Sequence, residues 1–69
     1  MLETKDLLVL EYSLQKRAWR IDNLETVLTY NLGWFAKGVA GDDYRILAIS
    51  ASRDQLREFK KSIVKQKLL

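Results

Sequence analysis

At Ser52 the spacing of apolar residues changes, and with it the geometry the chain can adopt. Before it, Tyr44-Arg45-Ile46-Leu47-Ala48-Ile49-Ser50-Ala51 holds four apolar residues in a row. That pattern predicts a strand over 44–51 buried on both faces, as in a central or parallel strand. After it, Leu56, Phe59, Ile63 and Val64 recur at helical spacing. Ser52 can accept from a free N–H of the first turn, with Gln55 at the third position of a capping box. A strand followed by a basic amphipathic helix over 53–67 is therefore expected, the second half of one small α/β domain.

The first half is read in the same way. Leu8, Leu10, Tyr12 and Leu14 share one face of a strand expected over about 6–14, and Leu7, Val9, Glu11 and Ser13 share the other. A Leu-rich helix from Leu2 through Leu14 is the rival reading. Residues 16–21 are either a short returning strand or an extended connector. Asp22 then reads as a helix cap, with Glu25 three residues on. Leu24, Val27, Leu28, Leu32 and Phe35 predict a helix over about 23–37, which Gly38 would end. The segment 38–43 holds two glycines and two aspartates and reads as a loop.

The expected architecture is one domain over 1–69, an α+β two-layer β(β)αβα unit. Two helices would pack on a two- or three-stranded sheet. The strand–helix–strand crossover is expected to be right-handed with its flanking strands parallel. Leu7 and Val9 would then lie on a sheet face that nothing covers. The core of a 69-residue chain is small, so a bare apolar face predicts a homo-oligomer. A compact monomer with a third strand over 16–21 is the alternative.

Composition narrows the chemistry. The chain has no cysteine and no histidine, which removes disulfides, thiolate metal sites and the ordinary Ser-His and Cys-His nucleophile systems. Gly41-Asp42-Asp43 offers carboxylate oxygens, but two aspartates before a strand read first as a turn. No metal and no cofactor are expected, and no enzymatic activity. No apolar run approaches the roughly 18 residues of a membrane span, and Leu7–Leu10 is too short for a signal-peptide core. These features predict a cytoplasmic protein.

Several residues stand out as candidate contacts. Lys16-Arg17-Ala18-Trp19-Arg20 interleaves basic and aromatic side chains; in extended chain Arg17 and Trp19 face one way, Lys16 and Arg20 the other. A Trp beside guanidinium groups can stack on a base or hold phosphate nearby. The plainer reading makes Trp19 a core anchor. Arg53, Lys60 and Lys67 recur every seven residues along one edge of the last helix, with Arg57, Lys61 and Lys65 outside them. They form either a phosphate footprint or a solvated face. Ser50 and Ser52 sit where a strand end meets a helix N-terminus, a place that favours anions, although capping alone explains them. Arg53 there opposes the helix dipole unless an anion neutralises it.

On the first helix the apolar arc covers more than half the circumference, with Tyr30 and Trp34 widening it and Asn31 inside it. A surface helix needs an arc of about 100°, so Tyr30, Asn31 and Trp34 are candidate interface residues. The leading expectation is a non-enzymatic, self-associating binding module. It would bind or sequester an anionic partner, a nucleic acid, a nucleotide-like ligand or an acidic protein surface, through Arg17, Trp19, Arg20, Ser50, Ser52, Arg53, Arg57 and Lys60. The alternative is a small inhibitor or adaptor, of the kind mobile elements carry, acting on a protein through Tyr30, Trp34 and a bare sheet face.

Overall fold

The computed structural model describes residues 3–68. Leu2, where the rival helix would begin, and the outermost residues of the 1–69 span lie outside them. After a short 3-10 turn at Thr4–Asp6 the elements run β1 (Leu8–Ser13), β2 (Ala18–Asn23), α1 (Leu24–Lys37), β3 (Tyr44–Ser50) and α2 (Arg53–Lys65). The fold is α+β, a three-stranded antiparallel sheet with two helices.

The open choice over 16–21 falls to a strand, shifted to Ala18–Asn23, with Lys16 and Arg17 in the turn before it. β1 and β2 form a hairpin whose turn, 14–17, places Arg17 at φ 53°. The Ser13 hydroxyl fixes that turn by accepting from the Lys16 N–H at 3.0 Å. Leu14 therefore leaves the strand and stands exposed in the turn.

The sheet order is β2-β1-β3. The run Ile46–Ile49 is thus an edge strand, antiparallel and largely exposed, not the central strand its apolar character predicts. β1 takes the centre, and Val9 and Leu10 are fully buried. β2 and β3 do run in the same direction, as the crossover rule requires, but with β1 between them. Leu47 is an extra residue in β3, since Leu10 faces Ala48 and Glu11 faces Ile46. It forms a β-bulge, which bends an edge strand.

Both helices are capped, one of them by an unexpected residue. Asn23, not Asp22, caps α1: its Oδ1 accepts from the N–H groups of Glu25 and Thr26 at 2.9 and 3.3 Å. Asp22 instead accepts from the Asn23 N–H. Gly38 closes α1 at φ 71°, a left-handed conformation that glycine reaches without strain. Ser52 caps α2 by accepting from the Gln55 N–H at 3.2 Å.

The helices do not share a layer. Val9 packs with Leu24 and Val27 of α1 and with Leu7. Leu10 points the other way by the strand period, and shares a cleft with Trp19, Ile21 and the side chains of α2. The two-layer expectation is therefore replaced by a sheet with one helix on each face. Leu7 and Val9, expected to lie bare, are covered by α1. Three strands at about 4.8 Å spacing span only about 10 Å, and the molecule measures 38 × 35 × 11 Å. The protein is a narrow slab, one sheet wide, with a helix above and a helix below.

Candidate anion-binding groove between the second strand and the last helix

The narrow sheet sets which side of each helix looks outward. On α2, Leu56 and Ile63 are buried against the sheet. At about 100° per residue, Arg53, Arg57 and Lys60 lie on the flank to one side of that line and Phe59 on the other. The flank of Arg53, Arg57 and Lys60 faces β2, where these three share an open groove of ≈ 260 Å³ with Leu10, Trp19, Arg20 and Ile21. Phe59 faces β3, beside Ala48 and Ile49.

Trp19 is the wall of the groove. Its ring packs on Tyr12 with centroids 4.7 Å apart, and the Lys60 Nζ lies 5.6 Å from its centroid. Trp19 is half-buried, so it anchors the sheet and still presents surface to the groove. Arg57 makes a 3.7 Å exposed ion pair with Asp54, which screening renders weak. Arg53 and Lys60 have no carboxylate partner among the described residues, and no acidic residue lines the groove. The arrangement offers three cations beside an aromatic wall.

Other candidates fall elsewhere. Arg17 is exposed in the hairpin turn, away from the groove lining. Arg20 contributes to the groove lining, but its guanidinium is spent on the opposite face. Its Nε and Nη2 donate to the two oxygens of Glu11 at 3.1 and 3.2 Å, and Nη2 also donates to Asp42 at 3.2 Å. The group lies 3.9 Å from the Tyr44 ring centroid. The Glu11 bond, against the cost of burial and with help from Asp42, raises the Arg20 pKa above its ordinary value. Ser50 and Ser52 are consumed locally. Ser50 Oγ donates to Gln55 Oε1 at 2.6 Å and accepts from the Ser52 N–H at 3.0 Å. Asp42 and Asp43 are tied to Arg20, the Tyr44 N–H, Ser13 and Lys16.

Tyr30, Asn31 and Trp34 meet in a second, smaller cleft of ≈ 150 Å³ between α1 and the sheet. Its other side is Glu11, Arg20, Asp22, Asp42, Tyr44 and Ile46, of which Glu11, Arg20 and Asp42 are paired with one another. Tyr30 and Trp34 stack at 5.9 Å and 21°. Trp34 rests on Gly41, where any Cβ would overlap the indole. Asn31 is exposed at this cleft instead of sitting inside a buried arc. The helix is turned so that Val27 and Trp34 face the sheet, which leaves Leu28, Leu32 and Phe35 in solvent.

The sequence names Arg53, Lys60 and Trp19 within one candidate set but not the groove they share, because β2 and α2 are brought together only by the sheet order. No helix among the described residues is long and apolar enough to cross a membrane. Comparison with known protein families, curated proteins and solved structures finds no match to this chain.

Proposed function

We propose that this chain is a non-enzymatic binding module that holds a phosphate-bearing partner, single-stranded nucleic acid or a nucleotide-like ligand, in the groove between β2 and α2. The observation that carries this reading is the meeting of Trp19 with Arg53, Arg57 and Lys60 in a groove with no acidic lining residue. Cations neutralise phosphate and release its counterions, while an aromatic wall packs against a base or sugar. Arg17 and Arg20 leave the set of direct contacts; Ser52 acts as the α2 cap, and Ser50 holds the Ser52 N–H and the Gln55 side chain.

The test is a fluorescence titration with a short single-stranded oligonucleotide at stepped salt, using Trp34→Phe so that Trp19 alone reports. Three phosphate contacts give a slope of log affinity against log salt of about −2. Arg53→Ala and Lys60→Ala each reduce its magnitude by about 0.7. Absence of binding at low salt, or salt-independent binding, overturns the reading. Salt-independent capture of a protein would favour the adaptor alternative instead.

A further inference from the structure

The flank opposite the groove has a different character. On α1, Val27 and Trp34 face the sheet, and Thr26 and Tyr30 share a cleft with Asn23 of β2. Leu28, Leu32 and Phe35 lie on the other side of that inward line, the side that a right-handed β2–α1–β3 crossover turns toward β3. Phe35 is 83% exposed and Leu32 68%. Beneath them runs the free edge of β3, where Ile49 is 53% exposed and the stretch Ile46–Ile49 carries no charge. Below β3, Phe59 of α2 is 44% exposed and shares a cleft with Ile49. One side of the slab, from helix to strand to helix, is thus largely apolar, with Ser50, Gln55 and Glu58 at its α2 rim.

Edge strands are usually guarded by lysine, proline or covering chain, and the interior of this one has none of these. The accessible surface is 5367 Å², whereas a compact monomer of this mass exposes about 4,500 Å². The radius of gyration, 12.9 Å, likewise exceeds the value of about 11 Å for a globule of this length. The surplus of about 900 Å² is close to the roughly 800 Å² that each partner buries in a standard stable interface.

We propose that the β3 flank, formed by Leu28, Leu32 and Phe35 of α1, the edge of β3, and Phe59 of α2, is the contact surface for a second copy of this chain. A wall apolar at its centre, with Glu58 only at its rim, is self-complementary, so two copies meet about a twofold axis. The bulge at Leu47 interrupts a regular ladder between the two edges, and side chains carry the contact. The wall and the groove are on opposite flanks, so the dimer places two grooves on its outer sides. That last consequence rests on the groove reading; the dimer itself does not.

The test is light scattering coupled to size exclusion over a concentration series from micromolar to hundreds of micromolar. The full chain is expected at twice its 8.1 kDa mass in the upper part of that range. Phe35→Glu and Ile49→Lys, on separate elements and both exposed, are each expected to return it to the single-chain mass with unchanged circular dichroism. Lys65→Glu, on the outer face of α2, leaves the dimer intact. A wild-type protein that stays monomeric throughout overturns the proposal. So does a dimer that survives both substitutions. Because oligonucleotide titration reads the opposite flank, failure there and failure here are separable.

Discussion

Arg20 and Glu11 face each other across the β1–β2 ladder, two bonds joining guanidinium to carboxylate at 3.1 and 3.2 Å. Glu11 is 2% exposed, in the central strand beneath α1. A carboxylate so placed is tolerated only with its charge and its lone pairs answered. The Arg20 side chain is 37% exposed, so water moderates the pair from one side. Arg20→Ala is expected to cost about 3 kcal/mol, at the lower end of the range for stripping one partner from a buried pair. Pairing Arg20→Met with Glu11→Gln should recover part of the loss. Urea unfolding of the single and double variants measures both.

Capping separates two adjacent residues with similar sequence credentials. Asn23→Ala is expected to destabilise the fold by about 1 kcal/mol, the usual value for a helix cap. Asp22→Ala, which removes one side-chain bond to the Asn23 N–H, should cost about 0.5 kcal/mol. Thermal melts followed at 222 nm compare them; a reversed order would contradict the cap geometry.

Two glycines with left-handed backbones make a graded pair. Gly38 has open space around it at φ 71°, whereas Gly41 at φ 81° lies against the Trp34 ring. Gly38→Ala should cost about 1 kcal/mol for the backbone alone. Gly41→Ala adds displacement of the indole and should cost about 2 kcal/mol or more. Only Gly41→Ala should shift the Trp34 emission, which Trp19→Phe isolates.

The pH dependence follows from Asp43. Its carboxylate accepts from the Ser13 hydroxyl, with the Asp43 backbone N–H and Lys16 adding to the effect. Together these outweigh burial and lower its pKa below the ordinary 3.8. A depressed pKa means that the charged form is favoured by folding. Its contribution is fully present above the unfolded value and is lost as pH falls through the folded one. Wild type should therefore be more stable than Asp43→Asn by a constant margin at neutral pH. The margin should narrow progressively below about pH 4. Urea midpoints at a series of pH values between neutral and strongly acidic check this; a margin that widens on acidification would exclude it.

Much of the element order was readable from hydrophobic spacing. The helix expected over 23–37 is found at Leu24–Lys37, and the strand over 44–51 at Tyr44–Ser50. What spacing could not reveal is which strand lies at the centre. Ile46–Ile49 has the apolar character of a buried strand, yet β1 occupies that place because it pairs with both others. The Arg20–Glu11 pair was hidden for a related reason: it depends on hairpin register, which the turn at 14–17 fixes. The helix faces misled differently. Leu24, Leu28, Leu32 and Phe35 make a regular stripe, but the sheet is only three strands wide and accepts Leu24 and Val27 alone as buried residues. For the groove, Trp19 and the α2 cations lie more than thirty positions apart, and only the sheet order joins them.

The central position of β1 also orders events in time. Its first neighbour, β2, follows after a four-residue turn, so that hairpin closes locally and early. Its second neighbour is β3, which arrives only after all of α1 and the following loop have been made. During synthesis the open side of β1 therefore waits, with Val9 and Leu10 lacking their full cover. A substitution that slows the closure of β3, Gly41→Ala among them, would lengthen that exposure and lower the yield of folded chain even where the finished protein is stable enough to persist.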